Sequence, residues 1–123
     1  MLIDSYSWIE FFHGTEKGEK VKEIIEEKEC STSIVSVSEI TEWCLKNSIE
    51  PDSFMSIIKE YSNIMNLNDE IVIFAGKINF ENKKKIPNWG MIDSLIYASA
   101  LLYDLKVLTG DKHFSGLKNA EML

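Results

Sequence analysis

Apolar residues recur along the chain with two spacings, and the alternation between them lays out its elements. Met1 to Ile3 is a short apolar run ending at Asp4, which reads as a strand followed by a loop acid. Ser5 to Phe12 fits a short helix with Trp8, Ile9 and Phe12 inward, and Thr15 to Lys28 a charged amphipathic helix that buries Val21, Ile24 and Ile25. Cys30 to Val35 is rich in hydroxyl and β-branched residues and suits a second strand. Ser36-x-x-Glu39 then matches a capping box at the head of a helix running from Ile40 to Asn47. Pro51 opens a helix expected to reach about Met65, with Phe54, Ile57, Ile58, Tyr61 and Met65 on one face. Asn68 to Asn82 continues helical through Ile71, Phe74, Ala75 and Ile78, and the basic run Lys83 to Lys85 before Pro87 reads as a loop.

The last third of the chain carries the clearest pattern. Met91 to Tyr103 is apolar on nearly every helical face, which predicts a helix covered on several sides. Asp104 and Leu105 break it, Lys106 to Thr109 reads as a short buried strand, and Gly110-Asp111 turns the chain away. Ser115 to Asn119 is a turn and Ala120 to Leu123 a final edge strand. Three or four short strands separated by long helical segments predict an α/β fold, a sandwich with a short, mainly parallel sheet flanked by helices. The 123 residues are expected to form one domain, 1–123, with no repeat or linker.

Composition narrows the function. Cys30 and Cys44 lie outside any Cys-x-x-Cys spacing, and His13 and His113 are far apart, so zinc is not expected and both thiols read as free. No apolar run reaches membrane-spanning length, and an acid at position 4 replaces a basic signal-peptide start; a cytoplasmic location is expected. The net charge of −7 argues against simple electrostatic binding of nucleic acid, although bound divalent cations would offset part of it.

Four acids stand out by isolation. Asp4 is the only charged side chain in the first nine residues, Glu39 the only one between Glu29 and Glu42, and Asp93 the only one between Lys85 and Asp104. Asp111 directly follows the late strand. Asp and Glu are favoured at helix starts, so each acid alone has an ordinary capping explanation. Capping does not require isolation from other charges, however, and a carboxyl in an apolar neighbourhood is costly unless paired or bound to metal. Asp4 and Asp111 follow strands, while Glu39 and Asp93 are expected in the first turns of helices entered from the same sheet edge, where α/β folds place their sites. Carboxylates without interleaved Lys or Arg suit Mg²⁺ or Mn²⁺, and such ions support phosphodiester hydrolysis.

The ordered set resembles the PIN-domain nucleases across the whole chain, and most closely the VapC-like ribonuclease toxins of type II toxin–antitoxin systems. Leu-Ile-Asp-Ser-Tyr-Ser-Trp-Ile-Glu-Phe-Phe at 2–12 is similar to the family's opening strand and first acid, Ser-Val-Ser-Glu-Ile at 36–40 to its second, Met-Ile-Asp-Ser-Leu-Ile-Tyr-Ala-Ser-Ala-Leu at 91–101 to its third, and Leu-Thr-Gly-Asp-Lys-His-Phe at 108–114 to its fourth. The resemblance implies a PIN-like α/β/α domain and a Mg²⁺- or Mn²⁺-dependent endoribonuclease in which Asp4, Glu39, Asp93 and Asp111 bind metal, with Ser5 and Thr109 as supporting hydroxyls. It also implies an RNA substrate and an antitoxin partner. Tyr6 stands where many relatives carry a small polar residue, and His113 where some carry a further Asp. Glu42, one turn beyond Glu39, is a substitute ligand or, by the simpler reading adopted, an exposed helix acid. Lys112 either contacts phosphate or softens local repulsion, the latter being favoured, and His113 is read as a surface or hydrogen-bonding residue and not a general base. A homodimer is expected from apolar residues on the helices at 16–28 and 51–65.

Other readings remain open from sequence: an RNA-processing PIN nuclease outside a toxin–antitoxin pair, a PIN-like binding module without activity, and an Asp-based phosphatase or phosphoacceptor domain. The last fits poorly. Dehalogenase-type phosphatases want a second Asp where Tyr6 stands, and receiver domains want a Lys near the late strand end, where Asp111 stands. Four intact acids count against the inactive module.

Overall fold

Two-residue alternation in the central strands divides the interior. A computed structural model describes all residues, Met1–Leu123. Strand β1 (Leu2–Ile3) is followed by helices α1 (Ser5–His13) and α2 (Glu16–Glu27), then β2 (Ser31–Ser33), α3 (Ile34–Lys46), α4 (Pro51–Tyr61) and β3 (Asn63–Met65). Helices α5 (Asp69–Asn82) and α6 (Met91–Leu102) lead to β4 (Val107–Thr109), a short 3-10 turn (Lys112–Phe114) and β5 (Ala120–Met122). The sheet order is β3-β2-β1-β4-β5, with every pairing parallel. Leu2 and Val107 enter one core with Ile71, Ala75, Ile96 and Phe114, whereas Ile3 and Leu108 enter the other with Trp8, Val21, Ile40 and Ile58. Successive strand residues point to opposite faces, so α5 and α6 cover one side and α1 to α4 the other.

Buried hydroxyls tie the layers together. Trp8 Nε1 donates to Thr32 Oγ1 at 3.0 Å, and Ser62 Oγ donates to the Ile58 carbonyl at 2.7 Å. Thr32 Oγ1 and Ser62 Oγ are 2.7 Å apart. With the Ser62 proton committed to Ile58, Thr32 is the donor between them, and each hydroxyl is satisfied. This chain links α1, β2 and the start of β3. On the other face, Trp89 Nε1 donates to Ser94 Oγ at 2.7 Å, which in turn donates to Asn79 Oδ1 at 3.1 Å.

The structure corrects two boundaries and one expectation about the surface. The sheet has five strands, because the expected helix to Met65 ends at Tyr61 and Asn63–Met65 pairs with Ser31–Ser33. The spacing from Tyr61 to Met65 mimics a helical repeat, but the open edge of β2 draws the segment into the sheet, and the Thr32–Ser62 contact fixes its start. Strand β2 stops at Ser33, whose hydroxyl accepts from Val35 N and caps α3. The Ser36–Glu39 capping box therefore does not form. Ser36 is buried inside the helix and Glu39 lies in its second turn. Finally, α2 and α4 bury Val21, Ile25 and Ile58, while large exposed apolar side chains lie on α5 at Val72, Ile73 and Phe80. The expected surplus on the helices at 16–28 and 51–65 is not where exposed apolar surface sits.

Two helical glycines give a contrast that tests the packing. A Cβ at Gly18 would lie 2.2 Å from the Glu10 carbonyl oxygen, a backbone atom that has little room to move, whereas nothing lies within 4 Å of one at Gly76. Gly18→Ala is expected to destabilise by about 2 kcal/mol or more, lowering the melting temperature by roughly 6 °C or more. Gly76→Ala should instead stabilise by roughly 0.5–1 kcal/mol. Thermal denaturation of both variants checks this, and shifts of the same sign would contradict the helix packing.

Candidate active site

Strand order reverses between β1 and β4, and the chain leaves both strands at their carboxyl ends through an acid. Such a reversal opens a crevice at the sheet edge. Asp4 follows β1 directly as the N-cap of α1, its Oδ1 accepting from Ser7 N at 2.9 Å. The Ser7 hydroxyl donates to the Leu108 carbonyl at 2.6 Å, which locks the start of α1 to β4. Thr109 ends β4, and its Oγ1 accepts from Asp111 N at 2.9 Å. Asp111 caps the 3-10 turn by accepting from His113 N at 3.0 Å. Asp93 sits in the first turn of α6 and accepts from Gly90 N at 3.1 Å. Glu39 reaches in from α3, its Oε1 accepting from Ser5 Oγ at 2.9 Å. Local capping chemistry thus aims each of the three aspartates.

His113 closes the group. Its Nδ1 is 3.1 Å from Asp93 Oδ2 and 3.6 Å from Asp111 Oδ1. One donor atom from each of Asp93, Asp111 and His113 lies within 4.8 Å of the others. Asp4 and Glu39 stand outside this tight trio but within its field. Burial pushes the Glu39 carboxyl up, the Ser5 hydroxyl opposes that, and repulsion from Asp93, Asp111 and Glu42 adds to it. Burial likewise raises Asp4 from 3.8 to about 7, against hydrogen bonds from Thr109 and Ser7 and with a smaller push from Asp111. No lysine forms an ion pair with any of the four acids, and the chain contains no arginine. Carboxylates and an imidazole gathered without a basic partner are a donor set that suits a divalent cation.

Depth differs from the sequence expectation. The run that holds Asp93 is expected to be covered on several sides and Asp111 to follow a buried strand, yet their side chains are 18% and 37% exposed, while Asp4 is 5% exposed. The apolar run around Asp93 packs through Ile96 to Ala100, one turn farther along α6, so the head of that helix stays at the rim. Glu42 points away and pairs with Lys46 at 3.0 Å. Sequence reasoning passed over Ser7, which has no charge or motif to mark it. Tyr6 also gains a place, because its ring crosses Gly110, where a Cβ would lie 2.2 Å from Cε1. A larger residue at 110 would therefore require the Tyr6 ring to shift.

Residues 1–119 match the family described as PIN domain. No curated protein matches the chain significantly by sequence. Among solved structures, a toxin–antitoxin complex from Klebsiella pneumoniae superposes with a TM-score of 0.77 at 22% identity, covering 98% of this chain and 95% of that one. VapBC2 from Rickettsia felis, bound to a promoter DNA fragment, gives 0.75 at 13% identity over 99% and 96% of the two chains. Mycobacterium tuberculosis VapC20, described as a sarcin-ricin loop cleaving toxin, gives 0.75 at 12% over 93% and 92%. At these identities the likeness is one of fold.

The raised Asp4 carboxyl sets a pH dependence for the metal-free protein. A folded-state value of about 7 above the ordinary 3.8 means that the folded chain holds this proton longer than the unfolded chain. The associated stability is complete below pH 3.8 and is lost as pH climbs through about 7. Asp4→Asn keeps an acceptor for Ser7 N and removes the titration. In chelator, the variant should melt close to wild type near pH 4 and above it at pH 8, by up to about 4 kcal/mol. Parallel stability curves across that range would show that Asp4 carries no such burden.

Proposed function

The chain belongs to the PIN-domain family, and we propose that it is a Mg²⁺- or Mn²⁺-dependent endoribonuclease, the toxin of a type II toxin–antitoxin pair. The observation that carries this reading is the meeting of Asp93, Asp111 and His113 at the β1/β4 crevice, with Asp4 and Glu39 in the same field and no lysine paired to any of these acids. In the proposed assignment Asp4, Glu39, Asp93 and Asp111 hold the metal. A bound divalent cation would supply charge neutralisation at the scissile phosphate and a water acidic enough to attack at neutral pH.

The protein's own side chains do the positioning. Ser5 holds the Glu39 carboxylate through a 2.9 Å hydrogen bond, so that an otherwise mobile side chain is aimed before substrate arrives. Thr109 steadies Asp111 through its backbone N–H and restrains Asp4. The exposed rim formed by Asp93 and Asp111 leaves the site open to a chain substrate, and Lys112 beside it offers a cation for phosphate. Similarity of fold to a sarcin-ricin loop cleaving toxin supports RNA, in single-stranded or loop form, as substrate. Similarity to VapBC assemblies supports an antitoxin partner, and an acidic crevice would complement a basic antitoxin side chain. The exposed Val72, Ile73 and Phe80 on α5 supply an apolar face for a homodimer.

Purified protein is expected to cleave single-stranded or loop RNA only with Mg²⁺ or Mn²⁺, and Asp4→Asn, Asp93→Asn and Asp111→Asn should each lower cleavage by more than about a hundredfold. Undiminished cleavage in excess chelator, by protein freed of contaminating nuclease, would overturn the metal mechanism. Mn²⁺ at a hundred times its dissociation constant should stabilise wild type by about 2.7 kcal/mol and Asp111→Asn by little of that. Equal responses would remove Asp111 from the ligands. Sedimentation at micromolar concentration should show a dimer that Phe80→Glu weakens, and a strictly monomeric wild type would count against the α5 interface.

A further inference from the structure

We propose that His113 is itself a metal ligand and that its imidazole biases the site toward Mn²⁺ over Mg²⁺, an inference that rests on the metal-dependent reading above. The two histidines have different surroundings. His13 ends α1 with its ring against Trp43, at 5.1 Å between centroids. His113 is placed by its own backbone, because His113 N donates to Asp111 Oδ1 at 3.0 Å and so folds the side chain back over the turn. That places Nδ1 3.1 Å from an oxygen of Asp93, on another element, and 3.6 Å from an oxygen of Asp111.

Those separations are informative. An octahedral ion with bonds of about 2.1 Å holds adjacent donors about 3.0 Å apart and opposite donors about 4.2 Å apart. The three donor atoms here, all within 4.8 Å of one another, already stand near the spacing that a shared ion requires. The closeness of His113 to Asp111 follows from the backbone hydrogen bond across the turn, whereas its closeness to Asp93, on α6, is made only by the fold. The partial exposure of all three side chains, 29% for His113, 18% for Asp93 and 37% for Asp111, leaves room for waters or substrate oxygens to complete the shell.

The selectivity follows from ligand type. Mg²⁺ holds to oxygen donors and gives up its waters reluctantly, whereas Mn²⁺, although it too is chiefly an oxygen-binding ion, exchanges a water for an imidazole nitrogen at less cost. A neutral imidazole in place of a further carboxylate also removes one repulsion from the crowded edge. Two carboxylates about 4 Å apart repel appreciably even at an effective dielectric near 20. The trio therefore favours an ion that can use the nitrogen beside the carboxylates.

Electron spin echo spectroscopy of Mn²⁺ bound to the whole wild-type chain tests this directly, because a coordinated imidazole nitrogen modulates the echo. The modulation is expected in wild type and in His13→Gln, and it should vanish in His113→Asp. Competition titration of Mg²⁺ against Mn²⁺ should show the preference for Mn²⁺ falling by about tenfold or more in His113→Asp. If that variant does not fold, the nitrogen modulation in wild type and in His13→Gln decides the question. Mn²⁺ bound without nitrogen modulation overturns this proposal and leaves metal binding by the acids intact. Failure of wild type to bind Mn²⁺ at all overturns both.

Discussion

Four carboxylates drawn toward one sheet edge repel one another, and no lysine in the chain is paired with them to relieve it. A pair about 4 Å apart in a medium of effective dielectric near 20 is unfavourable by roughly 4 kcal/mol. The protein restrains them with neutral donors instead: Ser7 N for Asp4, Gly90 N for Asp93, His113 N for Asp111 and the Ser5 hydroxyl for Glu39. The three backbone donors are amides freed at the start of a helix or 3-10 turn, where a carboxylate is welcome. Capping and site assembly are thus one set of hydrogen bonds. The ordinary structural explanation for each aspartate is correct, and it is also the means by which the cluster is held.

The sheet supplies the remaining constraint. Parallel pairing of Leu2 with Val107 and Ile3 with Leu108 puts the ends of β1 and β4 side by side. Helices leave them toward opposite faces, and the two cores lock those helices in place. Ser7 makes the join rigid, since its backbone N–H holds Asp4 while its hydroxyl holds the Leu108 carbonyl. The buried chain from Trp8 through Thr32 to Ser62 extends the same restraint to β2 and β3. The edge strands β3 and β5 flank the central strands, with β5 pairing along β4 as far as Thr109.

Tyr6 and His113 are where this chain gives the crevice its own character. Tyr6 lies across Gly110 and couples the first turn of α1 to the loop that carries Asp111. His113 places a nitrogen among oxygens. Both lie at the rim of the crevice and not in the core.

By itself the sequence determined the order of most elements and the identity of the acids, because helical and strand periods and isolated charges are local properties. The apolar run of α6, the β1 and β4 strands and the separation of Asp4, Glu39 and Asp93 from other charges are all legible residue by residue. Tertiary structure decided what depends on distant partners. Asn63–Met65 became a strand because β2 offered an open edge, against a helical spacing that looked satisfactory. The α3 cap moved to Ser33 and left Ser36 inside the helix, since two nearby serines compete for one role and the surrounding packing selects between them. Asp4 proved the deepest acid and Asp93 a rim acid, because burial is set by what packs over a residue, not by its flanking sequence. The approach of His113 to Asp93 joins residues twenty positions apart through a turn that only the folded sheet can position.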